Sequence, residues 1–227
     1  MINVKNLINL LKKHNSNFFT GVPDSVLKEL SFSLQVKNKK NHIIAANEGS
    51  AVSIGIGHYL STKRIPIIYM QNSGLSNALN PLISIAHKNV YSIPLILIIG
   101  WRGSPRVKDE PQHNAKGRIT EKLLKLLNIR YTILRSSSDL NKFEKQIKFA
   151  RKNKSIVACL IEQGTLEKSY KEKNKKDFYN LDKETFLKTL LKKLPKKTKI
   201  ISSTGYNSRE LMYLRKKYQI KNSNDFY

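Results

Sequence analysis

Short apolar runs alternate with helical stretches from the start of the chain to about residue 161. Six of the runs are rich in β-branched or aromatic residues, which is typical of buried strands. Strands that alternate with helices form a parallel sheet. The pattern therefore predicts a doubly wound α/β fold with helices on both faces of the sheet. The predicted strands cover residues 17–20, 42–46, 66–70, 94–100, 130–134 and 155–161.

Helical spacing of apolar residues fills the gaps between these runs. Asp24 is predicted to cap a helix that runs to about Leu34. A polar loop over residues 101–117 is expected to precede a later helix that ends near Leu127. The other predicted helices cover residues 48–61, 75–87 and 139–151.

The pattern changes after residue 162. Residues 163–180 are polar, rich in Lys and without periodicity, which is typical of a linker. A helix, a strand and a second helix are then predicted over residues 182–217. We expect a first domain at 1–162, a linker and connecting helix at 163–195, and the beginning of an incomplete second α/β domain at 196–227.

The composition favours a soluble, cytoplasmic protein. The 42 Lys and Arg residues outnumber the 16 Asp and Glu residues, which gives a net charge of +26. The cations are scattered and no aromatic residues alternate with them, so nucleic-acid binding is not favoured. The longest apolar run, residues 93–99, is too short to cross a membrane, and the N-terminus does not have the pattern of a secretory signal. The one cysteine excludes a disulfide framework and a multi-cysteine zinc site.

Candidate chemistry lies in the loops that follow the predicted strands, where doubly wound sheets bind ligands. Glu48 either stabilises the start of a helix or lies beneath a ligand and shares a proton with it. The turn at residues 71–77 either caps a helix or lines a flat polar ring. Arg102, Arg106 and Lys108 are suited to a multiply charged anion, and His113 to proton transfer, although solvated surface positions explain them equally well.

Five motifs in order, GVPDSVL, ANEGSAVSIGIGHYL, MQNSGLSNALNPL, GWRGSPRVKDEPQH and STGYNSREL, resemble the phosphonopyruvate decarboxylases. These are thiamine-diphosphate enzymes of the pyruvate decarboxylase superfamily and are similar to sulfopyruvate decarboxylases. The resemblance covers about residues 17–161 and resumes at 199–210. It implies that the first domain is a pyrimidine-binding domain of the thiamine-diphosphate-binding fold.

The resemblance also implies roles for individual residues. Glu48 would hydrogen-bond the aminopyrimidine ring of thiamine diphosphate and drive its tautomer shift, and His113 would be an active-site histidine. Further residues are assigned by the same resemblance or by their charge: Gln71, Ser73 and Gly74 to the pyrimidine pocket, Asp24, Arg102 and Lys108 to the substrate, and Thr204, Gly205 and Ser208 to the cofactor's diphosphate.

The family's Gly-Asp-Gly motif, which helps to hold Mg²⁺, is absent from this sequence. We therefore expect no metal ligands within the chain, a downstream part that supplies them, and no catalysis by these 227 residues alone. The implied reaction is decarboxylation of 3-phosphonopyruvate, a 2-oxo acid, in phosphonate biosynthesis, at a site formed between subunits of a homo-oligomer. Sulfopyruvate decarboxylation by a pyrimidine-domain subunit is the alternative reaction. A non-catalytic interaction or nucleic-acid-binding module is the alternative of another class.

Overall fold

Six parallel strands form a single sheet, which confirms the predicted fold class. The computed structural model describes residues 1–168, 180–195, 197–203, 205–220 and 225–226. Along the sheet the strands follow the order β2-β1-β3-β4-β6-β5. Their bounds are Phe19–Gly21 for β1, His42–Ile44 for β2, Ile67–Gln71 for β3, Ile96–Trp101 for β4, Arg130–Leu134 for β5 and Val157–Glu162 for β6.

Helices cover both faces of this sheet. They are α1 at Val4–Lys13, α2 at Lys28–Lys37, α3 at Glu48–Thr62, α4 at Leu75–Pro81, α5 at Pro111–Leu126 and α6 at Asp139–Asn153. A π-helical turn at Leu82–Ala86 continues α4, and short 3-10 turns lie at Lys39–Asn41 and Asn72–Gly74.

Alternate side chains of each central strand enter two separate cores. In β3, Ile67 and Tyr69 pack with the apolar faces of α1, α2 and α6. Ile68 and Met70 of the same strand pack with α3, α4 and α5 on the other face. Because both faces are covered, these strands are apolar at consecutive positions, and this is the signal that the sequence pattern detects.

Two helices begin at other residues than the pattern predicts. Asp24 does not cap α2, because its Oδ2 accepts the N–H groups of Val26 and Leu27 at 3.0 and 3.2 Å and forms a turn. The helix then begins one turn later, at Lys28. Conversely, α5 begins within the predicted loop, with Pro111 in its first turn, where a missing N–H costs nothing.

Cys159 lies at the middle of the sheet. Its strand, β6, pairs with β4 and β5, and the residue is fully buried between Ile98 and Thr132. Burial raises the pKa of its thiol far above the ordinary value.

Helix α5 approaches the loop after β4 so closely that only glycine fits at the crossing. A Cβ atom at Gly117 would overlap the backbone carbonyl of Gly103, which itself has a φ of +67°. By contrast, Gly57 lies in α3, and a Cβ atom there would meet open space.

We expect opposite stability changes from alanine at these two glycines. Gly117→Ala should lower the free energy of unfolding by about 1–3 kcal/mol, because both clashing groups are backbone and α5 must move away. Gly57→Ala should raise it by about 0.5–1 kcal/mol, because alanine is the better helix former. Urea unfolding of both variants measures the difference, and equal changes would show that the close approach is absent.

A second compact unit follows the first. The chain divides into Met1–Lys171 and Glu172–Tyr227. The second unit contains α7 at Lys183–Lys193, β7 at Ile200–Ile201, α8 at Tyr206–Lys217 and β8 at Asp225–Phe226. Asp182 caps α7, since its Oδ1 accepts the N–H of Thr185 at 2.7 Å. The predicted connecting helix, α7, packs against α8 through Leu191, Leu211 and Leu214.

Within the described ranges, every helix is too short or too polar to cross a membrane.

Candidate functional site

The strand order fixes where the loops of the first unit gather. From β1 the chain moves outward to β2, then returns to form β3 on the other side of β1. This reversal opens a crevice at the carboxyl ends of β1 and β3, where doubly wound sheets bind ligands. The loops after β1, β2, β3 and β4 all emerge at this edge.

Glu48 is the first residue of α3, directly after the β2 loop. Its side chain is partly exposed, and Oε2 accepts a hydrogen bond of 2.8 Å from Nδ2 of Asn77 on α4. The carboxylate rests against Gly74, where any Cβ atom would collide with it. The free N–H groups of the helix start favour its negative charge. Glu48 is therefore an oriented acceptor that is still open on one side.

The turn after β3 points its amides in two directions. Gln71 donates from Nε2 to Oγ of Ser73 at 2.7 Å, close to Glu48 and Gly74. Asn72 is buried and faces inward. Its Nδ2 donates to the carbonyl of Arg102 and to Oγ1 of Thr120, both at 2.9 Å. Asn72 thus ties the loop after β4 to α5, a role that its neighbours in the motif do not share.

Asp24 is a buried carboxyl with one unpaired oxygen. Oδ1 has no hydrogen-bond partner among the described residues, whereas Oδ2 accepts the two backbone N–H groups that form the turn. Gly100 at the end of β4 packs directly against this carboxyl, with no room for a Cβ atom. Burial raises the pKa of Asp24, and the two backbone hydrogen bonds and the charge of Arg102 oppose that rise. The unpaired oxygen is suited to carry or accept a proton.

Arg102 joins the loops that follow β1 and β4. Its Nε and Nη2 donate to the two carboxylate oxygens of Asp109 at 2.7 and 2.6 Å, and its Nη1 donates to Oγ of Ser25 at 3.1 Å. This pair holds the pKa of Asp109 well below its ordinary value. These bonds use three of the five N–H donors of the guanidinium, and Arg102 also lines a cavity, so its predicted contact with substrate stays a prediction.

A cavity of about 930 Å³ lies beside this pair. The loop after β4, the start of α5 and Gln163 line it. Besides the paired Arg102 and Asp109, the lining contains three cations, Arg106, Lys108 and Arg118, and one further acid, Glu110. The described residues give none of these three cationic side chains a hydrogen-bonded carboxylate. Lys108 therefore lines a cavity, and its contact with a substrate anion stays a prediction. Arg118 is an additional cation on α5 that the motif did not single out.

His113 lies in the first turn of α5, where its N–H donates to the carbonyl of Glu110 at 2.9 Å. Burial lowers the pKa of its imidazole, and the charge of Arg102 lowers it further, while Asp109 and Glu110 act in the opposite direction. The ring is consequently neutral at pH 7 and able to accept a proton.

We expect the His113 ring to titrate below its ordinary value of 6.5. Since the unfolded chain then binds more protons, this residue's contribution to stability is present above pH 6.5 and declines as the pH falls through the folded pKa. Arg102→Gln should raise this pKa, because the positive charge of Arg102 lowers it in the unsubstituted chain. Proton NMR of the imidazole resonances, with His113→Asn for assignment, measures both values. A midpoint above 6.5 in the unsubstituted chain would contradict the assigned burial effect.

Sequence reasoning missed a buried acid at this edge. Glu162 ends β6, and its Oε1 accepts a hydrogen bond of 2.5 Å from Oγ of Ser104. Its Oε2 accepts from Nε of Arg135 at 3.2 Å. Ser104 and Glu162 are separated by 58 positions, so no local motif reveals their contact. Together they hold the first residues of the loop after β4 against the end of β6.

The second unit carries the remaining predicted residues. Gly205 has a φ of +120°, which favours glycine, and precedes α8. Ser208 is buried, and its Oγ donates to the carbonyl of Ser203 at 2.5 Å. Thr204 lies outside the described residues. The assignment of these three residues to a diphosphate stays a prediction.

A family model for the N-terminal TPP binding domain of thiamine pyrophosphate enzymes matches residues 3–123. A phosphonopyruvate decarboxylase of Streptomyces viridochromogenes is 29% identical over 215 residues, which are 86% of this chain and 52% of the relative. The alpha subunit of a sulfopyruvate decarboxylase from Methanocaldococcus jannaschii is 36% identical over 124 residues, 54% of this chain and 70% of that subunit.

Solved structures agree with the fold. A benzoylformate decarboxylase from Polynucleobacter necessarius superposes with a TM-score of 0.57 at 18% identity, over 88% of this chain and 38% of that one. The chain spans about half the length of the phosphonopyruvate decarboxylases that it matches.

Proposed function

Because the chain belongs to the thiamine pyrophosphate enzymes, whose N-terminal TPP binding domain it contains, we propose that it forms part of a 2-oxo acid decarboxylase that acts on 3-phosphonopyruvate. The proposal assigns residues 1–162 to the pyrimidine-binding domain. One observation carries it: an oriented carboxylate, Glu48, and a buried carboxyl with an unpaired oxygen, Asp24, emerge at one sheet edge that also bears a cation-lined cavity.

The residues at this edge fit the pyrimidine part of thiamine diphosphate. Glu48 has an oxygen free to bind a ring nitrogen, while Asn77 fixes the other oxygen. Gln71 and Ser73 offer an amide and a hydroxyl beside it. Gly74 lets the carboxylate take this position, because a side chain there would collide with Glu48. When bound, the cofactor supplies an electron sink for the electron pair that departing CO₂ leaves behind.

Three side chains of the protein would then bind and transfer the protons of the reaction. Glu48 would hold a shared proton at the pyrimidine nitrogen, which requires an acid and not merely an acceptor. The unpaired Oδ1 of Asp24 and the neutral ring of His113 would accept or return the proton that product release requires. Arg102 would keep the loops of both residues in place through Asp109 and Ser25, and would offer its remaining N–H groups to the substrate.

The cation-lined cavity supports phosphonopyruvate over other 2-oxo acids. A phosphonate carries up to two negative charges. The cavity lining contains four cations, Arg102, Arg106, Lys108 and Arg118, and two acids, Asp109 and Glu110, so its formal charge is four minus two, or +2. The named relatives include both phosphonopyruvate and sulfopyruvate decarboxylases, so sulfopyruvate is the second candidate substrate. A sulfonate carries a single charge, and it would leave more of this positive charge unpaired.

The family supports the rest of the assembly. We propose that Mg²⁺ and the diphosphate are held by a second domain, that the site is completed between subunits of a homo-oligomer, and that the enzyme works in the cytoplasm and supplies phosphonoacetaldehyde for phosphonate biosynthesis. The test is an assay of the whole enzyme with thiamine diphosphate, Mg²⁺ and phosphonopyruvate. Release of CO₂ with equimolar phosphonoacetaldehyde is expected, and the absence of both products would overturn the proposal.

A further inference from the structure

A second cavity lies at the amino-terminal edge of the sheet, opposite the candidate site. It has a volume of about 320 Å³, within the size range of small-ligand sites. Its walls come from the segment before β4, from the starts of β5 and β6, and from the end of α6. The lining residues are His87, Lys88, Asn89, Leu127, Asn128, Ile129, Arg130, Phe149, Asn153, Ser155 and Ile156.

The cavity combines an apolar floor with polar groups at its edge. Leu127, Ile129 and Ile156 are buried and form apolar surface. Phe149 adds an aromatic ring, over which the guanidinium of Arg130 stacks at 3.8 Å from the ring centre. Stacking occupies the face of the guanidinium and fixes its plane, so its N–H groups remain directed outward.

Three polar groups of the lining are able to bind a ligand by hydrogen bonds. The described residues give the guanidinium of Arg130 no hydrogen-bond acceptor. Oγ of Ser155 is buried and has no hydrogen-bond partner in the same part of the chain. Nδ1 of His87 accepts the N–H of Asn89 at 3.2 Å, so the neutral ring carries its proton on Nε2, where it can be donated. The guanidinium of Arg130, the hydroxyl of Ser155 and Nε2 of His87 can therefore each donate a hydrogen bond to a ligand.

The electrostatic balance at this edge is positive. Helices α5 and α6 both end here, and each helix end contributes about −0.5 charge. The carbonyls of Leu123 and Leu124 at the end of α5 already accept N–H groups of the following turn. Arg130 and Lys88 bring two full positive charges, and no acidic residue of the described ranges lines the cavity. The sum is about +1, which a monoanion neutralises.

We propose that this cavity binds a small organic monoanion, a carboxylate attached to an apolar group. The carboxylate lies between the Arg130 guanidinium and the Ser155 hydroxyl, with Lys88 at the edge, and the apolar group covers Leu127, Ile129 and Ile156. The site is separate from the crevice at the carboxyl edge, and the inference is independent of the decarboxylase proposal.

Benzoate is a suitable probe, and benzamide and acetate are its controls. We expect benzoate to shift the amide resonances of residues 128–130 and 155–156 saturably in ¹⁵N-labelled protein. Benzamide lacks the charge and acetate lacks the apolar group, so both should bind at least ~10-fold more weakly. Equal affinity for benzamide, shifts confined to the loop after β4, or no saturable binding of benzoate would overturn the proposal.

Variants separate this site from the general positive charge of the protein. Arg130→Gln should weaken benzoate binding at least ~10-fold, because a charge-assisted hydrogen bond is lost. Lys88→Gln tests the same charge balance if Arg130→Gln fails to fold. Lys145→Gln on the exposed face of α6 removes an equal charge elsewhere and should leave the affinity unchanged. If Lys145→Gln lost as much benzoate affinity as Arg130→Gln, the net charge of the protein would explain the binding and the proposed site would be wrong.

Discussion

Glu48→Gln in the whole enzyme is expected to lower kcat by at least ~10²-fold at saturating cofactor, the usual size of a proton-transfer contribution. Glutamine keeps the shape and an oxygen that can accept the Asn77 hydrogen bond, which is 2.8 Å long in the structure. An amide cannot take or return a proton, so the variant isolates the acid chemistry from the packing. Steady-state decarboxylation at several cofactor concentrations measures kcat and the cofactor requirement separately.

Glu29→Gln is the matched control for this variant. Glu29 lies in the first turn of α2, on a different helix from Glu48 and also near a helix start. If a helix-terminal charge were the whole effect, both variants would lose similar activity. We expect Glu29→Gln to retain nearly all of it. Retention of most activity by Glu48→Gln would reduce Glu48 to a charge at the start of α3 and remove the support for the cofactor site.

Substrate preference should follow the charge of the acid's side group. We expect kcat/KM for phosphonopyruvate to exceed that for pyruvate at least ~10²-fold, because two charge-assisted hydrogen bonds contribute about 3–6 kcal/mol together. Sulfopyruvate should fall between the two. The measurement is kcat/KM for all three acids under identical salt, and a preference for sulfopyruvate would select the second candidate reaction.

Single replacements of the cavity cations locate this preference. Arg106→Gln, Lys108→Gln and Arg118→Gln should each lower kcat/KM for phosphonopyruvate at least ~10-fold and leave that for pyruvate nearly unchanged. Lys122→Gln, an exposed residue of α5 outside the cavity lining, is the control for net charge. Equal losses of kcat/KM for phosphonopyruvate and for pyruvate would show that these cations stabilise the loop and do not bind the phosphonate.

The sequence predicted the sheet well because its central strands, β3, β4 and β6, are buried on both faces. Residues 96–99 are apolar at every position, and such runs are visible without any tertiary information. Helix starts were less predictable. The Asp24 carboxylate could cap a helix or form a turn with the same backbone N–H groups, and packing against Gly100 accompanies the turn.

The candidate site was predictable where one residue follows one strand, and less so where partners come from distant segments. Glu48 lies directly after β2, so its place at the carboxyl edge follows from the fold class alone. The ion pair between Arg102 and Asp109 could not be predicted, because the two residues are seven positions apart and meet only once the loop has folded. Glu162 meets Ser104 through the pairing of β4 with β6, which the order of strands along the chain does not reveal.

Because Cys159 lies at the middle of the sheet, chemical labelling of its thiol can be used to measure unfolding. A thiol buried in β6 between two neighbouring strands reacts with a modifying reagent only after those strands separate. Fraying of the chain ends or motion of the loop after β4 leaves it protected. With a single cysteine in the sequence, the rate of thiol labelling in native buffer gives the free energy of opening the sheet itself.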